Sequence, residues 1–146
     1  MTTESIWSLD TNVLVYATGL DSPPQKKQVA IKLLEELFVS HHACLAGQVL
    51  GEYLSVVIRK RLMPHLLALE TVNVWSKVAR VLPAPTQVYE QAWQLTVKHH
   101  YQVWDALIIA ICAEHGVKTL YSEDAGSLKR PLGVHVINPF SEIEIS

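Results

Sequence analysis

Ile6-Trp7-Ser8-Leu9-Asp10-Thr11-Asn12-Val13-Leu14-Val15-Tyr16-Ala17 opens with a short apolar run, residues 6–9, that stops at an acid, Asp10. Such a run suits a buried strand of a parallel sheet, one that delivers Asp10 at its carboxyl end. The chain then breaks at Leu20-Asp21-Ser22-Pro23-Pro24. Ser22 there is expected to cap a helix whose first position is Pro23. Val29, Leu33, Leu34, Leu37 and Phe38 follow at helical spacing, with Lys26, Lys27, Lys32, Glu35 and Glu36 between them. That is an amphipathic helix.

Further along, the same alternation repeats. Residues 43–46 read as a second short strand, followed by Gly47 and a helix over residues 48–59. Residues 62–82 read as a helical hairpin or one long helix, closed by Pro83-Ala84-Pro85. Thr86 is expected to cap a helix running towards His99-His100 and carrying Val88, Ala92, Trp93, Leu95 and Thr96. Residues 104–113 are nearly all apolar and predict a central helix, with Gly116 closing it. Residues 117–121 and 134–137 read as a third and a fourth strand, the last terminated by Asn138-Pro139. Short, continuously apolar strands alternating with helices predict an α/β fold, a short parallel central sheet flanked by helices on both faces. In such sheets ligands sit outside the carboxyl ends of the strands.

The bulk figures agree with one compact domain over residues 1–146. The 146 residues are 49% hydrophobic and 18% charged, with 12 Lys and Arg against 14 Asp and Glu, a formal charge of −2. A chain of this length buries roughly 68–70% of its unfolded surface and needs neither disulfide nor structural metal. Long disorder, collagen-like repetition and a strongly basic tail are excluded. Cys44 and Cys112 lie in apolar runs without a CxxC partner or a His at ligand spacing. They read as buried small hydrophobes in a reducing compartment. Met1-Thr2-Thr3-Glu4-Ser5-Ile6-Trp7 lacks the basic and apolar segments of a secretory leader. The longest uncharged apolar stretch, residues 106–113, is far shorter than the roughly 20 residues that span a bilayer. A cytoplasmic protein is the expectation.

Four acids stand out against this frame. Asp10 follows the first strand, and Asp124 follows the third by way of Ser122-Glu123, so parallel strands place both at one edge. Asp105 opens the apolar helix that leads back into that third strand, and should lie at the same rim. Glu52 sits in a narrow polar strip, Gln48, Glu52, Ser55 and Arg59, on a helix that starts from the same edge. Taken singly, each Asp could be an N-cap, and Glu52 a solvated surface residue. Four like charges at one rim repel, however, unless a cation binds among them. Hard oxygen donors of this kind suit Mg²⁺ or Mn²⁺.

Asp10-Thr11-Asn12-Val13-Leu14-Val15-Tyr16-Ala17, Glu52, Trp104-Asp105-Ala106-Leu107-Ile108 and Ser122-Glu123-Asp124 resemble the motifs of PIN-domain ribonucleases, nearest the VapC-type toxins of toxin–antitoxin pairs. The likeness runs from Ile6 to about Ile137. It implies a three-layer PIN fold and Mg²⁺-dependent RNA cleavage leaving a 5′-phosphate and a 3′-hydroxyl. It makes Asp10, Glu52, Asp105 and Asp124 the acidic pocket, with Asn12 and Ser122 supporting it by hydrogen bonds. A cognate antitoxin and a homodimer are implied in the same way. Glu123 beside Asp124 leaves open which of the two faces the metal.

Other readings compete. A phosphotransferase or hydrolase with an aspartyl nucleophile also places Asp after its first strand, but such enzymes show D-x-D, and the second acid here is Asn12. A PIN nuclease of RNA processing, or a PIN fold that only binds RNA or protein, would share these residues. His41-His42 and His99-His100 lack metal-ligand spacing and read as loop or helix-end residues. Trp7, Trp75, Trp93 and Trp104 read as core, with base stacking by one exposed ring as the alternative. Arg59-Lys60-Arg61 is the densest basic cluster, a solvated helix end or a guide for an RNA backbone. With the four acids assigned to one pocket, 12 positive charges face 10 negative ones elsewhere, a balance of +2.

Overall fold

The computed structural model describes residues 5–124 and 126–145. Of the stretch read for a leader, only Ser5 onward is therefore described. The elements run β1 (Trp7–Leu9), α1 (Thr11–Thr18), α2 (Pro24–Val39), β2 (Cys44–Ala46), α3 (Gly47–Arg59), α4 (His65–Val78), β3 (Arg80–Leu82), α5 (Thr86–His99), α6 (Val103–Glu114), β4 (Thr119–Tyr121), a 3₁₀ turn (Pro131–Gly133), β5 (His135–Ile137) and α7 (Ser141–Ile145). The architecture is α/β with parallel strands. Three of them are ordered β1-β4-β5, and β2 pairs with β3. Leu9, Tyr121 and Ile137 stand in register, so this sheet ends level at its carboxyl edge. The two sheets meet through a side chain, Ser8 Oγ donating to Cys44 O at 2.7 Å.

The centre of the molecule is α6. Ala106 through Cys112 are all buried, as a helix apolar on every face must be. It packs with Leu9, Leu45, Leu82 and Leu120 from four of the strands in one hydrophobic cluster. Cys44 and Cys112 are buried and free. Among the described residues no helix is long and apolar enough to cross a membrane.

Several local expectations change. The segment 62–82 is neither a hairpin nor one helix: α4 ends at Val78, and Ala79 turns extended (φ −111°, ψ 152°). Arg80 N–H then donates to Ala43 O at 2.9 Å, and Arg80–Leu82 becomes a strand. Only Leu82 of the three is buried, so the strand leaves no alternating signature. Ser22 and Thr86 do not cap helices. Pro23, Pro64 and Pro85 hold the cap positions of α2, α4 and α5 without a side-chain bond. Their fixed φ starts each helix, and for α2 and α5 it does so where a capping oxygen was expected. Ser22 Oγ instead donates to Val15 O at 3.4 Å. Residues 11–18, to which the pattern assigns no element, form α1. The tryptophans divide: Trp75 is buried and Trp7 partly so, while Trp93 and Trp104 are 45% and 48% exposed and are not core.

Candidate functional site

The β-ladder continues one residue past its strands. Asp10 N–H donates to Tyr121 O and Ser122 N–H to Ile137 O, both at 2.9 Å. Asp10 and Ser122 therefore lie side by side at the carboxyl edge, and Ser122 Oγ donates to Asp10 Oδ2 at 2.7 Å. Asp10 Oδ1 accepts Thr11 N–H at 2.7 Å. Asp10 is thus the N-cap of α1 and also a wall of the cavity described below. Burial drives its carboxyl above the usual range, the bonds from Ser122 and Thr11 oppose this, and Glu52 and Asp124 add to the rise.

Glu52 projects from α3 and is held on both oxygens. Thr11 Oγ1 donates to Oε2 at 2.9 Å, and Gln48 Nε2 to Oε1 at 3.4 Å. Asp105 is the third residue of α6. It is not a cap, because Gln102 Oε1 accepts its N–H at 3.2 Å and fills that role. Among the described residues the Asp105 carboxyl accepts no hydrogen bond. Burial, then Asp10, Asp124 and Glu52, push it to a pKa of about 7. Asp124 is exposed and starts no helix; its N–H donates to Ser122 Oγ at 3.1 Å.

Glu123 is tied elsewhere. Tyr16 OH donates to Oε1 at 2.8 Å and Lys26 Nζ to Oε2 at 2.7 Å, with the Lys26 ammonium 5.1 Å from the centre of the Tyr16 ring. The carboxylate is paired with a cation, and of the two adjacent acids it is Asp124 whose charge stays open to the site. Asn12 Oδ1 accepts Glu123 N–H at 3.5 Å, fastening this loop to α1.

All four acids line one cavity of about 980 Å³, together with Asn12, Arg59, Lys60 and Trp104. A second hollow of about 720 Å³ adjoins it across Asp105 and Asp124 and includes Lys98, His99 and His100. Sequence reasoning did not single out Thr11, Gln48, Tyr16 or Lys26. Two of them left a trace: Thr11 as a hydroxyl directly after Asp10, and Gln48 in the polar strip that carries Glu52.

Among the described residues no three of His, Cys, Asp or Glu converge tightly enough to hold a metal by themselves. The donor set nevertheless fits a hard divalent cation: Asp10 and Asp105 have carboxyls raised by burial and by the neighbouring acids, and among the described residues neither has a cationic partner. Mg²⁺ keeps several waters and takes only one or two carboxylates, so a three-ligand cage is not required.

No curated protein matches the sequence. Solved structures of similar fold include VapC20 of Mycobacterium tuberculosis, a Sarcin-Ricin loop cleaving toxin. It is 22% identical with a TM-score of 0.66, over 80% of this chain and 88% of that one. VapBC2 from Rickettsia felis, bound to a DNA fragment from its promoter, is 17% identical with a TM-score of 0.66, over 91% and 98%. FitAcB from Neisseria gonorrhoeae is 19% identical with a TM-score of 0.63, over 92% and 99%. At these identities the likeness is one of fold. The family model described as PIN domain matches residues 8–131, and with most of its length so matched the chain belongs to the PIN-domain family.

Proposed function

We propose that the chain, a single PIN domain over residues 1–146, is a divalent-metal-dependent endoribonuclease acting in the cytoplasm as the toxin of a toxin–antitoxin pair. One observation carries this reading: Asp10, Glu52, Asp105 and Asp124, from four separate segments, line the same cavity. PIN nucleases generally depend on a divalent metal, and Mg²⁺, or Mn²⁺ in its place, is the proposed ion. Such an ion supplies an activated water, neutralises charge growing on phosphorus and assists the leaving oxygen.

The chain's own residues divide the remaining work. Asp10 and Asp105 would hold the ion, with Glu52 and Asp124 completing the acidic wall around it. Ser122 Oγ and Thr11 N–H orient Asp10, Thr11 Oγ1 and Gln48 orient Glu52, and Asn12 secures the loop that carries Asp124. Lys26 pairs with Glu123, so the fifth acid that lines this cavity already has a cation. The toxin role is supported by the likeness in fold to VapC20, a Sarcin-Ricin loop cleaving toxin, and to VapBC2 bound to promoter DNA. A cognate antitoxin and a homodimer belong to the same proposal.

Purified protein should cleave RNA in Mg²⁺, stop in EDTA and recover with Mn²⁺. Asp10→Asn should abolish cleavage, and full activity in that variant would defeat the assignment. Sequencing of RNA ends after induced expression would identify the target.

A further inference from the structure

We infer that Trp104 is a base-stacking platform, and that the site takes single-stranded RNA whose backbone passes the acids between Arg59 and Lys60 on one side and Lys98 on the other. The inference rests on the ribonuclease reading above and adds the residue on which a base of the substrate lies.

The four tryptophans differ in one respect. Trp7 meets Tyr121 edge-on at 5.5 Å, Trp75 meets Tyr53 at 4.8 Å, and Trp93 lies 5.8 Å from Tyr89. Among the described residues Trp104 has no aromatic neighbour and no acceptor for its indole N–H, although it is 48% exposed. A large ring left in water without a partner is an open stacking surface. It also lines the cavity of the four acids. Trp104 directly precedes Asp105, and adjacent Cα atoms are about 3.8 Å apart. A base on the indole would thus lie in the cavity that holds the acids.

The charges point to the same ligand. Arg59 and Lys60, at the end of α3, line the first cavity, and Lys98, at the end of α5, lines the second. None of the three forms an ion pair among the described residues. The two hollows share Gln102, Asp105, Glu123 and Asp124, so cations flank the acids on both sides. A small nucleotide needs cations on one side only, whereas a strand crossing the site uses both. A paired duplex buries its base faces, and only an unpaired base can lie on the indole.

The test is binding of a fluorescein-labelled oligoadenylate, read by anisotropy in Ca²⁺, with cleavage of total RNA in Mg²⁺ measured alongside. Trp104→Ala should weaken binding about 5- to 100-fold, the range of base–aromatic stacking. Trp104→Phe should recover most of it, and Trp93→Ala should change nothing. The same strand annealed to its complement should bind the parent no better than it binds Trp104→Ala. Each of Arg59→Ala, Lys60→Ala and Lys98→Ala should lower the salt dependence of binding by about 0.7 in log–log slope. Abasic substitutions walked along the strand should weaken the parent at one position and leave Trp104→Ala indifferent there. A merely structural ring would not show that pattern. If Trp104→Ala binds RNA as the parent does, the ring serves a protein partner and the inference is wrong. Binding that depends on Trp104 without any cleavage would uphold the platform and defeat the ribonuclease reading. Cleavage that ignores Trp104 would do the reverse, and absence of both binding and cleavage would overturn the two together.

Discussion

Asp10 and Asp105 line the same cavity with the same chemical group, yet the fold holds them in opposite ways. Asp10 is 5% exposed, its N–H extends the sheet ladder, and each carboxylate oxygen accepts a hydrogen bond. Asp105 stands on the first turn of α6 with its N–H capped by Gln102, but its carboxyl accepts nothing among the described residues. Both have a raised pKa. For Asp10 the hydrogen bonds oppose the rise, whereas for Asp105 burial and three neighbouring acids act without opposition. One wall of the site is therefore set when the protein folds, and the other carries an unrelieved electrostatic tension that a bound cation would remove.

The largest expected effect tests whether the two walls serve one ion. Asp10→Asn and Asp105→Asn should each lower the cleavage rate by at least about 10²-fold, since even outer-shell losses at metal sites reach that size. The double variant should be scarcely worse than either single one, because groups that act as a unit are non-additive. Losses that multiply would mean the acids act independently. Next in size, Ser122→Ala should lower metal affinity about 10- to 100-fold by calorimetry, through the freed Asp10 carboxylate. Gln102→Ala touches only the Asp105 N–H and should leave that affinity within a few-fold. An equal loss in both would erase the distinction between the walls.

The pH dependence bears on both walls, since both carboxyls are raised, and the Asp105 share is separable by substitution. The folded pKa of Asp105, about 7, lies above the unfolded value of 3.8, so the native form binds the extra proton between them. That contribution to stability is complete below about pH 4 and is lost as pH rises through about 7. Thermal melts in EDTA should accordingly give a lower Tm at pH 8 than at pH 5, and Asp105→Asn should shrink the difference. An unchanged difference in that variant would place the titration elsewhere. The smallest effect concerns Gly51, beside Glu52 on α3, where an added Cβ would meet nothing within 4 Å. Gly51→Ala should stabilise the protein by about 0.5–1 kcal/mol, from helix propensity alone, in a denaturant titration.

How far the sequence carries depends on where each signal resides. The helix 106–112 was legible because it is apolar on every face, and the strand before Asp10 because a short apolar run stops at an acid. Arg80–Leu82 was not, since two of its three residues are exposed and nothing but the pairing with Cys44–Ala46 makes it a strand. The caps of α2 and α5 were misassigned for a shared reason: proline geometry took over a function usually performed by a side-chain oxygen. The four acids could be gathered at one rim from strand direction alone. Of the bonds that hold them, the support from Ser122 was legible only through the family resemblance, and Thr11 to Glu52 and Lys26 to Glu123 were not, because they join residues far apart in the chain. The exposure of Trp104 was likewise invisible in a helix whose other members are nearly all apolar.

Ser8 has a consequence for cooperativity. Where a ladder would spread several main-chain bonds between β1 and β2, the described residues show side-chain bridges instead, Ser8 Oγ to Cys44 O and the longer Cys44 Sγ to Trp7 O. The segment from Cys44 to Leu82 is a contiguous strand–helix–helix–strand unit with its own parallel pairing. It is the natural candidate for sub-global opening in native-state amide exchange. Glu52 rides on that unit, while Asp10, Asp105 and Asp124 remain with the three-stranded sheet. Assembly of the acidic cavity is in this sense a docking event inside one chain, and Ser8→Ala would lower the free energy that separates its open and closed forms.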